Sequence, residues 1–247
     1  MNIEKIKEYL SNILAIFVKE LKLYFNSPTA YVVIVVFLLI SGWMYTSTLF
    51  LNDQVSIRNF LDNVPLLYIF LMPAISMRLI AEEVKVGTIE IIATMPVKDY
   101  EIVIGKYLSS LALLAVLLVL TLIYPASLSM LSKGGLDWGQ VTGAYIGLFF
   151  TGASFLAMGI FSSALTKNQI IAFILGFAIC FAFFIMGKIV FILPAFAANI
   201  IGYIGLDSHF NNISKGVLDS RDIVYFLSLI GFFLYLTTIL VNSRKWR

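Results

Sequence analysis

The sequence predicts an all-α polytopic membrane protein: six transmembrane helices, an N-terminal amphipathic interfacial helix, and a short helical element between the second and third spans. Three observations lead there. Of 247 residues, 60% are hydrophobic and 13% are charged, against about 25% charge in soluble domains. Mean hydropathy is +0.96, so polar surface is too scarce to cover a soluble globule and lipid must be the solvent for most of the chain. The apolar residues also collect into runs near the ~20 residues that a helix needs to cross a bilayer.

Residues 1–26 open the chain. Ile3, Ile6, Leu10, Ile13, Leu14, Phe17 and Leu21 recur every three or four residues, and Glu4, Lys5, Glu8, Lys19, Glu20 and Lys22 are assigned to the other faces. The pattern predicts a helix lying along the inner membrane surface; packing against other protein is the alternative. No short apolar run here ends in a small-residue cleavage site, so the segment is expected to stay in the mature chain.

The membrane domain is expected over 27–247. Ser27 and Pro28 make an N-cap and first-turn pair. They open the first of six spans, at about 29–51, 63–81, 102–130, 141–165, 169–193 and 221–242. Gly187, Lys188 and Pro194 interrupt the end of the fifth, and 194–220 is expected to form an extracytoplasmic re-entrant or interfacial segment. Lys188 would snorkel toward the outer surface. Asp219, Arg221 and Asp222 suit a cap on the sixth span.

Lys and Arg orient the spans. A cytoplasmic N-terminus leaves Lys5, Lys7, Lys19, Lys22, Arg78, Lys85, Lys98, Lys106, Lys167, Arg244, Lys245 and Arg247 inside, and only Arg58, Lys133, Lys188, Lys215 and Arg221 outside. Positive residues favour the inner side, so both termini are expected in the cytoplasm.

Reactive groups are sparse. His209 and Cys180 are the single histidine and cysteine, which excludes His- or Cys-based metal clusters and leaves a triad resting on one loop histidine. Gly105-Lys106 fails as a phosphate loop, because positions 100 and 107 are tyrosines. The net charge of +3 is spread over loops and tails, so no nucleic-acid surface is expected. No catalytic residue, cofactor or metal is expected. Ionisable groups are nearly missing from mid-span positions, where an ion-coupled carrier keeps some; energy for any transport must come from another subunit. In the fourth span, Gly143, Gly147 and Thr151 place small residues on one face, for packing within the chain or at a subunit interface.

The stretch "AEEVKVGTIEIIATMPVKDYEIVIGKY", Ala81 to Tyr107, keeps its apolar residues in helical register despite eight charges. Arg78, Glu82 and Lys85 are spaced for i, i+4 and i, i+3 pairs. Gly87 breaks the helix, Thr88 can cap a short one carrying Ile89, Ile91 and Ile92, and Pro96 stops it. Asp99 is the expected cap of the return helix, with Glu101 in its first turn. The pattern predicts a stiff knob over 82–101 that docks a partner; an ordinary solvated loop between spans is the alternative.

This stretch resembles the E-x-x-x-G-T-x-E-x-I/L-x-T/S-x-P-V/I signature, closed by G-K-Y/F, of type-2 ABC-transporter permeases. Glu83, Gly87, Thr88, Glu90, Ile92, Thr94, Pro96, Val97, Gly105, Lys106 and Tyr107 match it, and Lys98 departs where the family often has Ser or Thr. A second stretch, Ser208 to Trp246, is similar to the last segment of the permease subunit of bacterial gliding-motility ABC transporters. The resemblance implies a non-catalytic exporter subunit in a homo- or heterodimer with a second permease copy or related subunit, each sitting on a cytoplasmic ABC ATPase. It makes Glu82, Glu83, Gly87, Thr88, Glu90, Ile91, Ile92, Thr94 and Pro96 the ATPase-coupling residues, with glutamates pairing to the ATPase or bracing the N-terminal helix. Spans one, two and five would line a path past Phe37, Trp43, Tyr45, Phe177, Phe181 and Phe184. A membrane scaffold docking a soluble partner through 82–101 is the alternative.

Overall fold

The computed structural model describes residues 3–52, 57–88, 97–131, 136–190, 194–217 and 219–244. Within them the chain is helical, and the elements run α1 (Ile3–Asn26), α2 (Pro28–Asn52), α3 (Arg58–Ser76), α4 (Ala81–Val86), α5 (Asp99–Thr121) and α6 (Ile123–Leu131). They continue as α7 (Trp138–Leu165), α8 (Gln169–Ile189), α9 (Ala195–Ile204), α10 (Leu206–Ser214) and α11 (Ser220–Arg244). Among the described residues, six stretches are long and apolar enough to cross a membrane: Pro28–Leu49, Phe60–Val86, Asp99–Met130, Trp138–Leu165, Gln169–Ile189 and Ser220–Ser243.

α7 is the centre of the bundle. It packs on α3, α5, α8, α10 and α11, and its glycines set how near they come. A Cβ on Gly159 would lie 2.0 Å from Ser76 Oγ, and one on Gly152 would lie 2.7 Å from Leu114. Side chains of zero volume let helix backbones close up where no hydrophobic force separates protein from lipid.

Two expected spans are broken. The second was expected over 63–81 with its helical pattern running on to Gly87, but α3 stops at Ser76 and the chain turns over 77–80 before α4 begins. Three groups there would lack partners, and one side chain on α7 satisfies them: Ser163 Oγ accepts from the amides of Ile80 (3.1 Å) and Ala81 (3.0 Å) and donates to the Met77 carbonyl (2.8 Å). The helix of the third span is interrupted at Leu122, between α5 and α6. Pro125 has no N–H for the Thr121 carbonyl four residues back. Tyr145 Oη donates to that carbonyl instead, at 2.9 Å.

The lateral surface is apolar on α2, α8 and α11: Val32, Val35, Leu39, Ile170, Ile174, Val224, Phe232 and Tyr235 are exposed. The aromatic residues expected along a path divide. Trp43 is 76% exposed and Phe181 is exposed, but Phe37 is fully buried against Tyr68, and Tyr45 stacks on Tyr124 at 4.9 Å. Phe37 therefore belongs to the interior of this chain rather than to any outer wall.

Candidate functional site

α4 carries the first expected coupling residues, and its two ends show how it is held. Ser163 fixes its start, as above. Its last turn ends at Gly87, with φ +79° and no atom within 4 Å of a hypothetical Cβ. The left-handed backbone rather than crowding is what calls for glycine here. Thr88 follows, and its hydroxyl donates back to the Glu83 carbonyl at 3.3 Å. Glu90, Ile91, Ile92, Thr94 and Pro96 lie outside the described residues.

The two glutamates of α4 differ sharply. Glu82 is exposed, and the pairs expected with Arg78 and Lys85 are not formed: the Arg78 guanidinium donates to Ser27 Oγ (3.3 Å) and lies over the Tyr24 ring (5.1 Å to its centroid). Glu83 turns inward. Its Oε1 sits 2.7 Å from Lys106 Nζ, which also reaches Glu20 Oε1 at 2.9 Å. Lys19, largely exposed, stands 3.6 Å from Glu20 and 3.7 Å from Glu83.

Lys106 is only 2% exposed. A buried ammonium is costly unless carboxylates surround it, so this lysine ties together the three elements that supply its neighbours: α1 through Glu20, α4 through Glu83, and α5, on which it lies. Glu20 was assigned to a solvent face and proves buried, one place where the expected helical wheel is wrong.

Further contacts lock α1 to the same end of the bundle. Gly105 lets α1 approach, because a Cβ there would lie 2.8 Å from Ile16. Asn12 donates to Glu101 Oε2 at 3.1 Å, and Tyr24 Oη donates to the Ile75 carbonyl at 3.0 Å. Glu101 also accepts from the Lys98 amide at 3.3 Å, so the cap of α5 is Lys98 and the expected cap, Asp99, is the first helical residue. Lys98 Nζ donates to Tyr9 Oη at 2.7 Å, and that hydrogen bond raises the ammonium pKa above the usual lysine range.

A profile of the ABC-2 family transporter protein matches residues 14–241. The chain belongs to the ABC-2 transporter family. It is a multi-pass membrane protein and a permease subunit of an ABC transporter, and membership implies association with a cytoplasmic ABC ATPase. No match was found among curated proteins.

The G-K-Y of the family-like stretch has structural work to do in this ABC-2 permease. Gly105 makes room for α1, Lys106 joins Glu20 to Glu83, and Tyr107 donates to the Ala153 carbonyl on α7 at 3.2 Å. The expected small-residue face is also internal. A Cβ on Gly143 would lie 2.5 Å from the Ile213 carbonyl, one on Gly147 would lie 3.1 Å from Phe210, and Thr151 is buried.

At the other end of α7, α9 and α10 cover the bundle, meeting at Gly205, whose backbone packs on Gly187 of α8. Lys188 pairs with Asp207 at 2.8 Å. His209, expected in a loop, is buried on α10. Its Nε2 donates to the Tyr203 carbonyl (2.9 Å), its Nδ1 lies 2.6 Å from Asp222 Oδ1, and its ring stacks on Tyr225 at 3.9 Å. Asp222 therefore serves this histidine, while Asp219 alone of the expected trio accepts a capping bond, from the Arg221 amide at 2.9 Å.

Proposed function

We propose that this chain is the membrane subunit of an ABC exporter and that it receives force from its ATPase through 82–101. The observation carrying this reading is the anchoring of α4. The element leading out to the expected docking residues is fastened to α1, α5 and α7 by Glu83, Lys106, Glu20 and Ser163. A push on the segment after Gly87 then moves packed helices rather than a slack loop. In this reading Gly87, Thr88, Glu90, Ile91, Ile92, Thr94 and Pro96 meet the ATPase. Glu83 braces the N-terminal helix.

The distribution of Lys and Arg supports cytoplasmic termini and α1 lying along the inner surface. The apolar faces of α2 and α8 support pairing with a second permease copy. The likeness of Ser208–Trp246 to gliding-motility permeases supports membership of that branch, and a neighbouring reading frame for a second, larger membrane component is the expected companion. Reconstitution with a candidate cytoplasmic ABC ATPase tests the main reading. ATP hydrolysis should rise in the presence of the chain, and Gly87→Pro or Glu90→Arg should remove the rise while assembly persists. No stimulation, or stimulation indifferent to both substitutions, leaves the scaffold reading instead.

A further inference from the structure

Two cavities of about 230 Å³ each share Tyr24 and Arg78 in their walls, where α1 passes into α2. The more polar one is walled by Glu20, Glu82, Glu83 and Lys106 together with Ser27, Leu23 and Leu79. The other is an apolar slot walled by Pro28, Val32, Val33, Ala74 and Ile75. It opens on the lateral surface, where Val32 is 58% exposed.

The charges in the polar cavity are not equally engaged. Lys106 is held by Glu20 and Glu83, and Lys19 stands outside Glu83. Arg78, at the boundary between the cavities, has five N–H donors. It gives one hydrogen bond to Ser27 and rests on Tyr24, with no carboxylate at ion-pair distance among the described residues. Glu82 likewise has no ion pair among them. A guanidinium and a carboxylate with spare capacity thus share one cavity beside an apolar slot.

We propose that this cleft binds a zwitterionic phospholipid bearing a primary ammonium, with its phosphate on Arg78, its ammonium on Glu82 and one acyl chain in the slot. The phosphate suits the guanidinium fork and the ammonium supplies the N–H donors that Glu82 accepts. A purely anionic headgroup would meet Glu20, Glu82 and Glu83 with nothing to answer Glu82, and a quaternary ammonium would bring no N–H. The site requires neither ATPase nor transport, so its test is separate from that of the coupling reading.

The full-length chain, purified from nanodiscs holding equal phosphatidylethanolamine, phosphatidylcholine and phosphatidylglycerol, is examined by native mass spectrometry. Wild type should retain one phosphatidylethanolamine in preference to the other two. Arg78→Gln should lower that retention about tenfold, which is about 1.4 kcal/mol, and Ala74→Phe should lower it by filling the slot. Glu82→Gln changes an exposed side chain with no ion pair to lose, so the protein stays folded and only the preference for ethanolamine over choline should vanish. Equal retention of the three lipids by wild type, retention of none, or an unaltered preference in Glu82→Gln overturns the proposal.

Discussion

Removing the charge of Lys106 should be the most damaging single change at the α1 end of the bundle. The exposed pair Lys19–Glu83, at 3.7 Å with Lys19 56% exposed, is worth about 0–1 kcal/mol. Lys106 is different: its side chain is 2% exposed and its two carboxylate partners are 8% and 15% exposed. Lys106→Met keeps most of the stem and its packing but leaves two carboxylates facing each other with little water. Breaking a buried ion pair from one side costs about 3–5 kcal/mol. In a chain of this size each kcal/mol moves Tm by about 2–4 °C, so the loss should be on the order of 10 °C. Thermal unfolding of the detergent-purified chain, followed by the fraction that stays monodisperse, reads this directly. Neutralising the partners in Lys106→Met/Glu20→Gln/Glu83→Gln should recover most of the loss, because a neutral hydrogen-bonded cluster no longer holds uncompensated charge. A Lys106→Met protein as stable as wild type, or a triple variant as unstable as the single one, would refute the argument.

Three further outcomes follow from the packing. Gly105→Ala drives a methyl to 2.8 Å from Ile16 and should cost about 1–3 kcal/mol, partly regained in Gly105→Ala/Ile16→Ala; the same thermal assay reads both. Ser163→Ala strips the partner from two amides and a carbonyl at the α3–α4 turn and should cost about 1–3 kcal/mol, with faster amide hydrogen exchange at Ile80 and Ala81 as its local signature. Tyr145→Phe leaves the Thr121 carbonyl without its phenol and should cost about 1 kcal/mol. Adding Pro125→Ala, which restores a backbone donor one turn on, should reduce that cost, and a purely additive double-mutant cycle would contradict the account.

The six spans were legible because each is a local property: twenty or so apolar residues announce themselves whatever they later touch. Gly87 was legible for the same reason, since a left-handed helix end needs glycine nearby in sequence. Lys106 and Glu20 were not, because 86 residues separate them and a helical wheel does not show which face a distant helix will cover. One signal was available. Ile13, Ile16, Glu20 and Tyr24 follow one another at three- and four-residue spacing, so a charge stands within the inward stripe, and a charge so placed requires a buried partner. The break at Leu122 was missed because apolar composition is unchanged across it, and the one after Ser76 because Arg78, Glu82 and Lys85 stand in helical register across the turn. Pro125 was the readable clue to the second, through the carbonyl it leaves open. His209 looked like a loop residue because α10 is only nine residues long, and its burial depends on Tyr203, Asp222 and Tyr225 from neighbouring segments.

α7 has 28 residues, which makes it about 42 Å long at 1.5 Å per residue. Near its start, Gly143 and Gly147 are seated against α10, and near its finish, Gly159 and Ser163 are seated against the end of α3 and the turn into α4. Neither seat has a methyl's worth of slack. One helix therefore forms the floor of both seats: among the described residues the α4 turn rests on it through Ser163, α10 rests on it at Gly143 and Gly147, and α11 is joined to α10 by His209 and Asp222.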